Sequence, residues 1–145
     1  KLFGKDMVTR RNGKILNVAS TAAFQPGPLM AVYYATKAYV LSFSEALANE
    51  LEGTGVTVTT LCPGPTESDF QKRAEMQDSK LVQKGGLMRI MTSEDVAKQG
   101  YTATKRGQTL VIPGLMNQLG TWLPRLLPRR LTPRVIRSFQ ERTGR

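Results

Sequence analysis

The sequence predicts an α/β fold: a parallel β-sheet whose strands are joined by helices, followed by a helical, basic C-terminal tail. Three observations predict it. Two β-branched runs, KILNVA and VTVTTLC, are separated by a long stretch with apolar residues at helical spacing. A third run, Leu110 to Ile112, follows a second helical stretch. Pro63-Gly64-Pro65 and Pro113-Gly114 stop the second and third runs abruptly. Strands that alternate with helices need crossover connections, which make a parallel sheet covered on both faces.

The elements follow in order. Lys1 to Asn12 reads as the end of a helix, with Leu2, Phe3, Met7 and Val8 on one face and Gly13 as its stop. Lys14 to Ala19 is a buried strand, at a sheet edge unless another segment precedes it. Ser20 to Leu29 is a loop around Pro26-Gly27-Pro28. From Met30 to Glu52, Ala31, Ala35, Ala38, Tyr39, Ser42 and Ala46 recur at helical spacing, and Gly53 and Gly55 end the helix. Val56 to Cys62 is a strand, and Thr66 to Thr92 is polar and weakly helical. Ser93-Glu94-Asp95 opens a helix with acids at its positive end, running to Arg106. Past the third strand, short helical pieces are broken by Pro124, Pro128 and Pro133. Residues 1–115 thus form the α/β part and 116–145 the tail. Three strands are few for such a sheet, and the chain opens on Lys1, so it is expected to be part of a longer protein.

The composition narrows the chemistry. A chain of 145 residues is one domain or part of one. It has no histidine, which excludes Ser-His and Cys-His triads and His-ligated metals. The single cysteine, Cys62, makes neither an internal disulfide nor a structural zinc site, and no metal is expected. Acid–base work falls to Tyr, Lys, Asp or Glu. No apolar run approaches the ~20 residues of a membrane-spanning helix, and the first residues lack a secretory signal, so a cytoplasmic protein is expected. The net charge is +10; the tail from Met116 holds seven Arg and one acid, hence +6, which leaves +4 for the other 115 residues. Base-reading and base-stacking motifs are absent, so nucleic acid is not an expected partner.

The strongest chemical signal is Tyr33-Tyr34-Ala35-Thr36-Lys37. Tyr33 and Lys37, four apart on a helix, project from one face. Ser20 stands thirteen residues earlier at the end of a strand, where parallel sheets open their ligand crevice. A carbonyl that accepts hydride becomes an alkoxide and needs a proton. A phenol, with a pKa near ~10, donates poorly at neutral pH unless an ammonium stabilises the phenolate. A shift of ~2 units is about 2.7 kcal/mol, within reach of a close, partly desolvated pair. Ser20 would polarise the substrate oxygen. Tyr34, three residues from Lys37, is the rival phenol and reads as packing or substrate-lining; Tyr39 reads as core.

Ser20 followed by Tyr-x-x-x-Lys resembles the active site of the short-chain dehydrogenase/reductase superfamily. GKILNVASTAA resembles that family's strand leading into its serine, LCPGPT its Pro-Gly turn over the nicotinamide, and SEDVA its penultimate helix. The resemblance runs from about Lys1 to Gly114. It implies the C-terminal half of a Rossmann-like, doubly wound sheet over residues 1–115, and NAD or NADP as cofactor. It implies Tyr33 as general acid/base, Lys37 as the ribose-binding residue, and Ser20 as the substrate-oxygen partner. Pro63, Gly64, Pro65 and Thr66 would line the carboxamide. Ser68 stands where many relatives carry a threonine, with Thr66 as its competitor. Phe24 and Gln25 are candidate substrate contacts, and Asp69 to Met91 is either a substrate lid or a bare loop. The family's glycine-rich phosphate turn, its Asn-Ala-Gly strand end and its catalytic asparagine are not in this sequence, so the chain alone is expected to be a poor enzyme.

The partners implied are a small carbonyl or alcohol, lipid-like acyl compounds included, and a second copy through the Met30–Glu52 helix. In the tail, Trp122, Leu123, Leu126, Leu127 and Leu131 alternate with Arg125, Arg129 and Arg130. Packing over the substrate pocket or a subunit interface ranks ahead of peripheral contact with an anionic membrane, because prolines interrupt a long amphipathic face. The alternatives to an oxidoreductase are a non-catalytic dimerisation remnant and a peripheral membrane-binding module.

Overall fold

A computed structural model describes residues 2–67 and 90–140. The elements are α1 (Leu2–Thr9), β1 (Gly13–Val18), a 3₁₀ turn (Thr21–Phe24), α2 (Ala31–Glu50), β2 (Val56–Leu61), β3 (Thr66–Glu67), β4 (Met91–Thr92), α3 (Ser93–Lys105), β5 (Leu110–Val111), α4 (Leu115–Leu126) and α5 (Thr132–Gln140). The main sheet has the order β1-β2-β5, all parallel.

The α/β prediction holds, and the central place of β2 follows from its sequence. Gly13 pairs with Val56 and Val18 with Leu61, while Thr60 and Leu61 pair with Leu110 and Val111 on the other side. Val56, Val58, Thr60 and Cys62 point to one face and Thr57, Thr59 and Leu61 to the other. α2 covers the first face, where Ala19, Leu41 and Cys62 form the core with Val40, Ala23, Phe24 and Ile112 packed around them. α3 covers the second: a side chain at Gly100 would meet Leu61, and one at Gly107 would meet Thr57.

Several expectations are corrected. α1 ends at Thr9, not at Gly13; Arg11 adopts the left-handed conformation (φ 51°) and Gly13 already belongs to β1. β1 is not a fully buried strand. It lies at the sheet edge, and its residues alternate between half-buried and exposed, with Leu16 and Val18 on the open side. Its inward face carries a polar link, Asn17 Nδ2 donating to Ser44 Oγ (2.9 Å), which in turn donates to the Val40 carbonyl. Thr66–Glu67 and Met91–Thr92 form a separate two-stranded parallel pair where the sequence suggested weak helix. α3 opens at Ser93 as expected, with Glu94 and Asp95 in its first turn, and is capped by Thr92, whose hydroxyl accepts from Asp95 N. Tyr39 is exposed instead of core. Pro124 does not break the tail: it sits inside α4, in its last turn. Pro128 lies between α4 and α5 and Pro133 in the first turn of α5, where proline is tolerated.

Candidate active site

The site assembles where β1 and β2 end. The main chain keeps the two strands together past their last residues, with Ala19 N donating to the Leu61 carbonyl (2.8 Å) and Thr21 N to the Pro63 carbonyl (2.9 Å). That pairing brings the Ser20 loop alongside the Pro63-Gly64-Pro65 turn, forty-three residues away in sequence.

Ser20 is half-buried and occupied. Its hydroxyl accepts from Ala22 N (3.1 Å), capping the 3₁₀ turn, and donates to the Pro63 carbonyl (3.3 Å). Capping is thus the role that its hydrogen bonds show. The donated bond is long for a hydroxyl donor and so readily exchanged. α2 opens at Ala31 and carries Tyr33 and Lys37 one turn apart. Lys37 Nζ donates to the carbonyl of Val18, the last residue of β1 (3.1 Å), and lies 5.7 Å from the centre of the Tyr33 ring. The strand end thereby fixes the ammonium beside the phenol. A lysine has three donors, so one carbonyl leaves two for a ligand.

Tyr34 is buried and belongs to packing, as its spacing suggests. Its ring meets that of Tyr33 edge-on at 6.0 Å. It also lies so close to Gly27 that any side chain there would collide with it, which explains the glycine between two prolines. Gln140 Nε2 donates to the Tyr34 hydroxyl, and Gln25 bonds it from the other side. Burial pushes the Tyr34 phenol above its ordinary value, an effect these two bonds only partly offset. Gln25 therefore serves Tyr34, and Phe24 packs on the core. Cys62, with no exposed surface, is pushed up to about 12 by burial, against a hydrogen bond from the Ser20 backbone. It is a core thiol rather than a nucleophile.

The Pro-Gly turn is held from the tail. The Asn117 side chain, 3% exposed, donates to the Pro113 carbonyl (2.7 Å) and lies against Gly64, where any Cβ would run into its carboxamide. Thr66 Oγ1 donates to the Gly64 carbonyl (2.9 Å) and stiffens the turn. Ser68 and nearly all of the expected lid, Asp69 to Met91, lie outside the described residues. Asn117 and Gln140 carry no local sequence signal; each matters through a partner far along the chain.

A family model described as short chain dehydrogenase matches residues 1–79. The chain belongs to the short-chain dehydrogenase family. It is 36% identical over 119 residues to a 3-oxoacyl-[acyl-carrier-protein] reductase from Rickettsia conorii, covering 77% of this chain and 49% of that protein. It is 46% identical over 63 residues to the 17-beta-hydroxysteroid dehydrogenase type 3 of Mus musculus, covering 43% and 21%. Among solved structures, a short chain dehydrogenase from Burkholderia cenocepacia in complex with NADP superposes with a TM-score of 0.71 at 23% identity, over 92% of this chain and 51% of that one. Such a likeness bears on the fold of this family member. The chain spans about half the length of the reductase it matches.

Proposed function

We propose that this chain carries the proton-transfer half of an NAD(P)-dependent oxidoreductase that interconverts a carbonyl and a secondary alcohol. The observation that supports it is the placement of Lys37, tied to the end of β1 and 5.7 Å from the Tyr33 ring centre, beside the Ser20 loop. Relatives are named for 3-oxoacyl and hydroxysteroid chemistry, and solved relatives hold NADP or NAD, which agrees with this reading.

The residues present fit the nicotinamide end of such a cofactor. Lys37 would offer ammonium donors to ribose hydroxyls at the end of β1, and the backbone of Pro63, Gly64, Pro65 and Thr66, alongside the Ser20 loop, would make the carboxamide contact. When bound, the nicotinamide supplies or accepts the hydride. Tyr33 gives its hydroxyl proton to the substrate oxygen in reduction and takes it back in oxidation. The Lys37 charge offsets the negative charge left on the Tyr33 oxygen. Ser20 turns its hydroxyl from the Pro63 carbonyl to the substrate oxygen and holds it for the transfer. Of the two hydroxyl candidates at the turn, Thr66 is committed to the Gly64 carbonyl, which favours Ser68 as the cofactor contact.

Three partners go with this reading: a small carbonyl or alcohol, lipid-like acyl substrates included; a second copy through α2; and a membrane surface beneath the tail. A cytoplasmic location goes with it too. The decisive experiment is Tyr33→Phe in the full-length protein. Loss of a general acid costs at least about a hundredfold in turnover while nicotinamide binding stays nearly intact. Normal turnover by the variant would end the assignment.

A further inference from the structure

The tail helix α4 is amphipathic the wrong way round. On its axis Leu115, Leu119, Trp122, Leu123 and Leu126 share one side, and all are exposed, Leu115 at 70% and Leu126 at 79%. The opposite side, pressed on the body of the protein, is polar: Asn117 and Thr121 are buried at 3% and 6%. A helix that packs only on its own domain turns its leucines inward. Here the inward positions are taken by the Asn117 contact with Gly64 and the Pro113 carbonyl, which leaves the leucines facing out.

The described tail residues carry charge of one sign. From Pro113 to Gln140 the chain has no acidic residue and five arginines: Arg125, Arg129, Arg130, Arg134 and Arg137. Arg125 lies over the Trp122 ring (5.2 Å to the centre), an indole and a cation side by side at the border of the apolar ridge. A second copy of the chain is a poor occupant, because a twofold contact would bring ten arginines together. A separate exposed face is open to it on α2, where Val32, Tyr39 and Phe43 lie outward. Pro124, the sequence argument against a membrane-facing helix, does not interrupt α4.

We infer that the outward face of α4, framed by the tail arginines, docks on an anionic phospholipid surface, with the leucines and Trp122 entering the headgroup–acyl boundary. No helix among the described residues is long and apolar enough to cross a membrane, so the contact is peripheral. This names the lipid class and the surface for the membrane partner in the proposed function, and rests on that reading only for the tail's role. Its measurement needs neither substrate nor cofactor.

The test is flotation of the full chain with phosphatidylcholine–phosphatidylglycerol vesicles and with pure phosphatidylcholine, read together with the emission of Trp122, the single tryptophan. The expected result is binding to the anionic vesicles only, with a blue shift. Leu119→Gln with Leu126→Gln, at exposed positions, weakens it about tenfold or more. Arg129→Gln with Arg130→Gln also weakens it and leaves less salt dependence. Binding that persists unchanged in the leucine pair, or a Trp122 emission that does not move, overturns the proposal. So does a parent chain that ignores vesicles and forms an oligomer which the leucine pair dissociates; that result assigns the face to a second copy. Tyr33→Phe should float like the parent protein, so failure of the catalytic reading and failure of the membrane contact are told apart.

Discussion

Cys62 is a side chain whose surroundings set its chemistry. A lone cysteine in a β-branched run reads as a small hydrophobe, and it is one, with no exposed surface. Burial raises its pKa from 9 to about 12, so the folded protein keeps a proton that the unfolded chain releases. The stabilisation is fully present below pH 9 and is lost as pH rises toward 12, with a slope of at most about 1.4 kcal/mol per pH unit. Urea melts between those limits should show this fall, and Cys62→Ala should flatten it; an equally steep fall in the variant would remove Cys62 as its cause. Tyr34 acts in the same direction at higher pH, since burial raises its phenol as well. At this scale Tyr33 and Lys37 were legible because four residues along a helix is a local distance. The Ser20 bonds were not, because the Pro63 carbonyl that receives its proton is set by strand pairing.

At the scale of elements, the Gln140 side chain fastens α5 to α2. Gln140 is buried and donates to Tyr34, and its Oε1 has no partner among the described residues. Removing one side of a buried hydrogen bond costs about 1–3 kcal/mol. Gln140→Ala should therefore speed amide exchange in Thr132–Gln140 by about one to two orders of magnitude, with Tyr34→Phe doing the same and the double variant little more. Additive effects would show that the two residues act separately. The tail helices also mark where sequence reading fails at this scale. Proline is a helix breaker on average, yet α4 holds Pro124 in its last turn and ends two residues later. The small β3–β4 pair was invisible because two-residue strands have no periodicity to read.

Among the described residues, the apolar faces of α2 and α4 have different surroundings. On α2, Tyr39 and Phe43 stack at 5.9 Å on the outward side, and Val32 is exposed one helical face along. This face suits a second copy, the role that the family resemblance implied for the Met30–Glu52 helix. Light scattering should find a dimer that Tyr39→Arg with Phe43→Arg converts to monomers without loss of helical circular dichroism. A monomeric parent protein would withdraw the α2 interface. The face on α4 has Arg125 at its border, and the same dimer-breaking pair should leave vesicle binding unchanged.

By itself the sequence determined the alternation of helices and parallel strands, the Tyr33–Lys37 pair on one helix face, and the family. All of these rest on short-range facts: periodicity, i,i+4 spacing, Pro-Gly stops and β-branched runs. Tertiary structure alone decided that Val18 anchors Lys37, that Ser20 caps a turn, that Asn117 presses on Gly64, and that Gln140 reaches Tyr34 across 106 residues. It also decided that the leucines of α4 face outward. An amphipathic pattern states that a helix has two sides; which side meets the protein depends on what the body offers there, and here Asn117 packs on Gly64 and bonds the Pro113 carbonyl.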